Sequence, residues 1–232
     1  MTVVKPLTLL LALLQTPQSI EGLWAYESIS RAGGQNAQIA GLFCFRAGRF
    51  VQQSVNVGEP YERQLAQAHA GRYRFAGGKL RLLASEGLVV DPTKDPPIDS
   101  RDATEHEVAP RQSGDRLVLT FDTGTVQTFT RVGPARGDII LLDRGALALV
   151  DRRFVLVAEG PDHATSGSGS FERHGQRLRL HAERWLSIRT GRPRYSRDRI
   201  IDARLTSSML TIPGEPAWPV IRATRRSRYG EH

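Results

Sequence analysis

The residues best suited to chemistry lie in two short stretches in which histidine stands close to carboxylates. In the first, Glu105, His106 and Glu107 are consecutive, and a carboxylate beside an imidazole can tune a general base. If this stretch is a strand, neighbouring side chains point to opposite faces, so both glutamates lie on the face away from His106. His106 is therefore only a weak catalytic candidate, because adjacency in sequence gives it no carboxylate partner in space.

The second stretch places polar side chains two residues apart. Alternation in an uninterrupted strand puts four of them on one face: Arg179, His181, Glu183 and Trp185. Such a row is either a pocket wall with a charged clamp for an acidic ligand or the outer face of a barrel. His181 and Glu183 are therefore weak catalytic candidates as well.

Motifs of the large metal and cofactor enzymes are absent from the sequence. It has no paired-histidine metal spacing, P-loop, dinucleotide fingerprint, nucleophile elbow or Cys-x-x-Cys, so we expect no metal and no cofactor. The one cysteine, Cys44, cannot form an internal disulfide. Its place in the apolar run Leu42–Phe45 favours a small buried hydrophobe over a nucleophile.

The elements that must position these residues come from an internal duplication. The segment GLFCFRAGRF from Gly41 recurs as GALALVDRRF from Gly145, and GRYRFAGGKLRLL from Gly71 recurs as GSFERHGQRLRLH from Gly169. The offset between the copies is 104 residues for the first block and 98 for the second. The sequence therefore predicts two related domains, 16–132 and 137–226, of which the second has a shorter connection between the blocks.

Each copy consists of short apolar alternations separated by turn residues, a pattern typical of antiparallel strands. The predicted strands of the first copy are 23–29, 42–45, 50–57, 72–75, 79–84, 104–109, 116–121 and 125–131. Those of the second copy are 139–142, 147–150, 154–158, 170–173, 177–188, 199–205, 209–212 and 220–224. Eight strands in hairpin order can close on themselves, so we predict an all-β protein of two tandem up-and-down antiparallel β-barrels.

The connection ahead of Gly71 differs between the copies. Tyr61, Leu65 and Ala68 recur at helical spacing, so Glu59–Ala70 predicts one short, lid-like helix in the first copy. The second copy has GPDHATSGSGS at this place, and its composition predicts a flexible loop. The linker between the copies is predicted at 132–138.

The start of the first copy resembles that of lipocalin-like proteins. The opening IEGLWAYESIS places Gly22 and Trp24 in a Gly-x-Trp strand, and the succession GLFCF, GRFVQQ, GRYRF, LVLTF and TFTRV is similar to bacterial lipocalin-like domains. The resemblance covers about 19–132, and the second half shares it only through the repeat. It implies a calyx-shaped barrel that binds hydrophobic small molecules, with Trp24 at its floor. Some relatives act as cyclases, isomerases or hydratases in biosynthesis, but no universal catalytic motif accompanies the family.

Side-chain alternation gives the candidate ligand contacts of the first barrel. Tyr26 and Ser28 share a face with Trp24 and lie nearer the mouth. Gln52 belongs to a polar strand face that is either outside the barrel or a polar stripe of the pocket. Tyr73 follows a turn glycine, and core packing is the favoured alternative explanation for it. The candidate ligand-binding residues are Tyr26, Ser28, Phe43, Gln52 and Tyr73.

We therefore expect the first barrel to bind a small hydrophobic or weakly acidic molecule. The alternative is a cofactor-independent biosynthetic enzyme on the same barrel, a cyclase, isomerase or hydratase that folds a flexible substrate into a reactive shape. A third hypothesis is an interaction protein whose basic second copy is a docking surface. The formal net charge is +8, with basic clusters at Arg189–Arg199 and Arg222–Arg228. We interpret these clusters as solvated surface rather than a nucleic-acid site, because no aromatic-plus-basic module accompanies them.

The N-terminal segment combines Lys5 with the apolar run Leu7–Leu14. This combination resembles a secretory signal, and the run is too short to span a bilayer. The following TPQS lacks a small-x-small cleavage site and instead predicts a helix cap and a short helix over Thr16–Glu21. We therefore favour a retained segment, no transmembrane helix and a cytoplasmic protein, with a secreted or periplasmic protein as the alternative if Met1–Ser19 is removed.

Overall fold

The computed structural model describes residues 19–31, 36–58, 64–91, 98–100 and 103–221. All regular structure in these ranges is β-strand, so none of the described segments is a helix that could cross a membrane. The apolar run Leu7–Leu14 and the basic cluster Arg222–Arg228 lie outside these ranges. Of the predicted helix at Thr16–Glu21, only Ser19–Glu21 is described, and it is not helical.

The first half of the chain forms a closed barrel of eight antiparallel strands. In order around the barrel they are β1, β3, β4, β5, β6, β8, β9 and β10, and β10 pairs with β1 to close the ring. The short strands β2 and β7 pair with the ends of β1 and β6, respectively. The strands are β1 (Gly22–Ser30), β2 (Asn36–Ala37), β3 (Ile39–Arg46), β4 (Arg49–Asn56), β5 (Ala66–Ala76), β6 (Lys79–Val90), β7 (Ile98–Ser100), β8 (Thr104–Ser113), β9 (Arg116–Phe121) and β10 (Val126–Gly133).

The second half forms a similar barrel that is nearly closed. Its order is β11, β12, β13, β14, β15, β17, β18 and β19, with β16 paired to the end of β15. The seam is held by the bridge between Leu142 and Val220 and by Ile221 N, which donates to Leu141 O at 2.9 Å. The strands are β11 (Gly137–Leu142), β12 (Gly145–Val150), β13 (Arg153–Glu159), β14 (His163–His174), β15 (Arg177–Arg189), β16 (Arg192–Ser196), β17 (Arg199–Leu205), β18 (Met209–Thr211) and β19 (Trp218–Pro219). The prediction of two tandem antiparallel barrels is confirmed.

The duplication extends to the strand register. The pairs of β5 and β6, from Ala66↔Val90 to Ala76↔Lys79, recur in β14 and β15 with every residue shifted by 98. Even the bulge is repeated: the register shifts just before Gly71 in the first copy and just before Gly169 in the second. At both glycines an added Cβ would overlap a carbonyl oxygen of the neighbouring strand. The repeated glycines are therefore steric requirements of the close strand approach at the bulge.

Two predicted connections are wrong. The lid-like helix predicted at Glu59–Ala70 is a strand from Ala66 onward, while 59–63 lie outside the described residues. The predicted flexible loop in the second copy is the first half of β14, in which Ala164 and Thr165 are fully buried. Small residues are used there because this stretch is covered on both faces, and composition alone does not distinguish that case from a flexible loop.

Three apolar clusters organise the molecule. One fills the first barrel and one fills the second. The third joins outward-facing residues of both barrels, including Leu88 from β6 and Val155 from β13. Because this third cluster is as buried as the two interiors, the outer faces of β4 and β13 are core surfaces and not solvent-facing ones.

Candidate functional site

A cavity opens in the first barrel at the end opposite the chain's entry into β1. It has an inner chamber of about 80 Å³ and a wider mouth of about 360 Å³. The two spaces share six lining residues and are therefore continuous: Gln67, His69, Thr104, His106, Phe121 and Gln127. In a barrel of eight strands this is room for one small ligand.

The inner chamber is walled largely by aromatic rings. Tyr26 and Phe43 both line it, and Phe43 stacks on Phe45 with ring centroids 4.2 Å apart. Tyr26 also packs against Phe129 at a centroid distance of 4.5 Å. Two predicted ligand contacts, Tyr26 and Phe43, thus lie on the cavity wall, on a rigid aromatic base.

A chain of hydrogen bonds crosses the chamber wall from β1 to β5. The Tyr26 hydroxyl donates to Gln52 Oε1 at 3.1 Å, and Gln52 Nε2 lies 2.6 Å from His69 Nδ1. Gln52 therefore faces the interior, so of the two alternatives for its strand face the structure selects the polar stripe. Because the Gln52 amide nitrogen can only donate, His69 Nδ1 accepts and the imidazole proton is on Nε2.

Burial determines the charge states of Tyr26 and His69, the two titratable groups joined by Gln52. It lowers the pKa of His69 to about 4, and the neighbouring His106 lowers it further. Burial also raises the pKa of the Tyr26 phenol above its ordinary value. At neutral pH both groups are therefore uncharged hydrogen-bonding groups.

Two polar atoms on the cavity wall have no partner within the described part of the chain. They are Gln127 Oε1 on β10 and Thr104 Oγ1 on β8, and both atoms are buried. Unsatisfied buried acceptors are uncommon, since each costs about 1–3 kcal/mol. Among the described residues that line the inner chamber there is no Asp, Glu, Lys or Arg.

The opposite end of the barrel is sealed. Trp24 is fully buried, its Nε1 donates to Ile20 O at 3.0 Å, and the Arg131 guanidinium lies 4.2 Å above its ring. Tyr73 belongs to this end, where its hydroxyl donates to Glu21 Oε1 at 3.2 Å. Tyr73 does not line the cavity, so the structure places this predicted ligand contact in the packed end of the barrel, as the core-packing alternative describes.

Ser28 is also misplaced by the sequence prediction. The register of β1 against β10 shifts between Tyr26 and Ser28, which makes Glu27 the extra residue of a bulge. As a result Ser28 is exposed, and Ile29 is the next residue to face inward and to line the mouth. Simple alternation from Trp24 fails at this bulge.

His106 faces the cavity, and its two glutamate neighbours face away from it. Glu105 pairs with Arg81 and Glu107 pairs with Lys79 on the outer surface. The imidazole of His106 instead packs edge-on against Phe121, with centroids 5.6 Å apart. No carboxylate of its own strand therefore acts on it.

The row predicted on the long strand of the second copy is broken. Glu183 is the bulge residue of β15, so Trp185 points into the second barrel while His181 stays on the outer face. His181 Nε2 lies 3.9 Å from Glu172, and Glu183 pairs with Arg153 at 2.8 Å. These groups do not form one wall, and neither His181 nor Glu183 lines the cavity of the first barrel. The basic segment Arg189–Arg199 forms the partly exposed tip of this strand and β16.

The second barrel has its interior filled where the first is open. The register places Gly87 opposite His69 in the first copy and Trp185 opposite Gly167 in the second. Trp185 is 1% exposed, and its ring covers the position that a side chain at Gly167 would occupy. The exchange of Gly87 for Trp185 between the copies therefore leaves this position open in the first barrel and fills it in the second.

Sequence reasoning missed His69 and Gln67, which line both parts of the cavity. They were hidden because the segment carrying them was assigned to a helix. The usable signal was the strict alternation AQAHAG from Ala66, in which the alanines face one side and the two polar residues the other. The alanines lie in the core between the barrels.

Cys44 lies on the outer face of β3, in the cluster between the barrels. Burial raises the pKa of its thiol to about 12. The thiol is therefore protonated and acts as a small apolar side chain, as the sequence indicated.

Comparisons with known proteins leave the family of this chain open. A scan against models of protein families found no match, and a search of curated proteins found none either. The geometry of the site is therefore the basis for any functional conclusion.

Proposed function

We propose that the first barrel binds a small, largely apolar molecule in its cavity, in the manner of the lipocalin-like proteins that its opening resembles. Apolar and aromatic walls provide affinity, and the few polar groups orient the ligand. The observation that carries this proposal is the contrast between two barrels of the same register: the first is open at Gly87, in the mouth of the cavity, and the second is filled by Trp185.

The test is to fill the first barrel in the way the second is filled. Gly87→Trp should lower the affinity for a neutral fluorescent probe such as N-phenylnaphthylamine by about a hundredfold or more, because the indole occupies the ligand's space. Overpacking costs about 1–3 kcal/mol in such cases, so circular dichroism and thermal unfolding should still show a folded protein. Fluorescence titration measures the affinity.

The control places the same ring outside the barrel. Thr120 on β9 is exposed, so Thr120→Trp should leave probe binding unchanged. Should Gly87→Trp not fold, Ala84→Leu fills the inner chamber with a smaller change. Retained affinity in a folded plugging variant would show that the probe binds elsewhere and would refute the proposal.

A second candidate is a cofactor-independent isomerase on the same barrel. It is favoured by the Tyr26–Gln52–His69 chain, which fixes one imidazole in a single tautomer, and by His106, a second imidazole lining the same chamber. In such a reaction the His69 Nε2–H would donate a hydrogen bond to the carbonyl oxygen of a bound compound, while His106 would take the proton from the carbon beside the carbonyl and return it at the new position. NMR detection of deuterium uptake beside the carbonyl, lost in His69→Gln, would support this activity; no uptake above the buffer rate would exclude it for that compound.

A further inference from the structure

We propose that the ligand of the first barrel is a neutral, single-ring compound with hydrogen-bonding substituents on two opposite sides. One substituent donates to Gln127 Oε1, and the other accepts from His69 Nε2. This inference rests on the proposed function and specifies its ligand class: rings bearing hydroxyl, alcohol or carbonyl groups. Carboxylates and pure hydrocarbons fall outside that class.

The size and shape of the cavity select a single flat ring. The inner chamber of about 80 Å³ is smaller than the roughly 150 Å³ cavity that accommodates benzene in a protein core. One ring therefore fills the chamber and extends into the mouth. The rings of Tyr26, Phe43, Phe50 and Phe121 on the wall favour an aromatic or otherwise planar guest.

One wall of the cavity requires a donor. Gln127 is 8% exposed, and its Oε1 has no hydrogen-bond partner among the residues that the structure describes. Thr104 Oγ1 is unpartnered in the same way. A ligand hydroxyl that donates to Gln127 Oε1 removes this unfavourable desolvation, and a hydrocarbon cannot.

The opposite wall offers a donor. His69 lies on β5, which is four strands away from β10 in either direction around the barrel. Its Nδ1 accepts from Gln52, which leaves the proton on Nε2, and His69 lines both the chamber and the mouth. A substituent oxygen facing β5 therefore has a preoriented N–H to accept from.

The chamber is unsuited to an anion. Among the described residues that line it there is no Asp, Glu, Lys or Arg, and burial keeps His69 neutral at physiological pH. A carboxylate would be desolvated without a fixed countercharge, at an effective cost of several kcal/mol. The charged residues Arg31 and Asp91 lie only at the mouth, where they contribute one charge of each sign.

The experiment compares three ligands of one ring size against the full chain at neutral pH. They are para-hydroxybenzyl alcohol, with a hydrogen-bonding group at each side, para-xylene, with none, and para-hydroxybenzoate, with a charge at one side. Ligand-observed NMR or calorimetry gives the affinities. We expect the alcohol to bind at least about tenfold more tightly than either of the other two.

Variants assign the two contacts. Gln127→Leu should lower the affinity for the alcohol about tenfold and leave the affinity for para-xylene unchanged, since only the hydrogen-bond acceptor is lost. His69→Phe should act in the same direction. Gln112→Leu is the matched control, because Gln112 lies at the far end of β8 and does not line the cavity. Gln127→Met replaces Gln127→Leu if the latter is not folded.

The outcomes separate this inference from the function on which it rests. Equal affinities, or tighter binding of para-xylene or para-hydroxybenzoate, would overturn the ligand class. If Gly87→Trp then abolishes binding of these compounds, the cavity is still the binding site and the proposed function stands. Binding of N-phenylnaphthylamine without binding of any single-ring compound would also overturn the class alone. If neither the probe nor any of the three compounds binds, both proposals fail.

Discussion

Gln52 is the residue on which the polar part of the site depends. It accepts from the Tyr26 hydroxyl through one atom and donates to His69 through the other. An aliphatic residue in its place would leave a buried hydroxyl and a buried imidazole nitrogen unpaired, and each such loss costs about 1–3 kcal/mol. The corresponding residue of the second barrel is the fully buried Leu156. A barrel of this fold therefore forms without the hydrogen bonds that Gln52 makes. Gln52 is therefore more consistent with a role in the site than with a role in folding.

The neutral state of His69 makes stability depend on pH. Its pKa is about 4 in the folded protein against an ordinary value of 6.5, so between these values only the unfolded state binds the proton. The contribution is fully present above pH 6.5 and is lost as the pH falls towards the folded pKa, by about 3 kcal/mol in total. Urea unfolding of the wild type and His69→Gln across this range should show the difference between them shrinking in acid.

The matched control for this prediction is His181→Gln. This variant removes an imidazole from the partly exposed outer face of β15 and leaves the cavity intact. Parallel profiles for the wild type and His69→Gln would mean that the imidazole is not held neutral by burial.

At the scale of the strand, bulges decide which residues reach the cavity. The bulge at Glu27 exposes Ser28 and turns Ile29 inward, and the bulge at Glu183 turns Trp185 into the second barrel. Side-chain alternation is a rule for uninterrupted strands, and one extra residue reverses every later position. The functional face of each strand therefore depends on features that period-2 patterns do not contain.

Gly71→Ala tests the steric requirement of the repeated bulge. The added methyl group would overlap Leu83 O on the neighbouring strand, and backbone cannot move away as a side chain can. We expect a loss of about 2–4 kcal/mol in the free energy of unfolding, at the upper end of single-substitution effects. Chemical denaturation measures it.

Gly77→Asn is the control for that change. Gly77 has a φ of 60° and open space around it, and Asn tolerates this left-handed conformation. Its cost should be well below that of Gly71→Ala. An equal cost for both variants would show that close strand approach is not what requires glycine at position 71.

The strands and the duplication could be predicted from the sequence, whereas much of the site could not. Alternation, turn glycines and the repeated blocks gave all eight strands of the first copy, because these signals are local. Tyr26, Phe43 and Gln52 were predicted as ligand contacts, and the structure places all three on the cavity wall. His69 was missed because helical spacing in 59–70 competes with alternation, and packing against the second barrel decides between them. The position of Tyr73 away from the cavity could not be predicted, because alternation gives the face of a strand on which a residue lies but not the end of the barrel.

At the scale of the molecule, the barrels are joined by a core of their own. Ser168 Oγ donates to Gln53 Oε1 at 2.7 Å within this contact, and both residues are buried. The linker is fixed as well: the Arg46 guanidinium donates to Ala135 O at 2.6 Å, and Ala135 N donates to Asp151 at 2.7 Å. The filled second barrel therefore supports β4 and β5, the strands that carry Gln52 and His69, from outside.

This division of roles predicts that the second barrel can be opened. Trp185→Ala removes the indole that fills its interior and should lower the free energy of unfolding by about 3–5 kcal/mol. Free indole should then bind the new space and raise the midpoint of thermal unfolding in proportion to its occupancy. The control is Leu186→Ala, one residue further on and buried in the core between the barrels, whose smaller void should not be rescued. If indole stabilises both variants equally, or neither, then Trp185 is not the group that distinguishes the filled second barrel from the first barrel with its cavity.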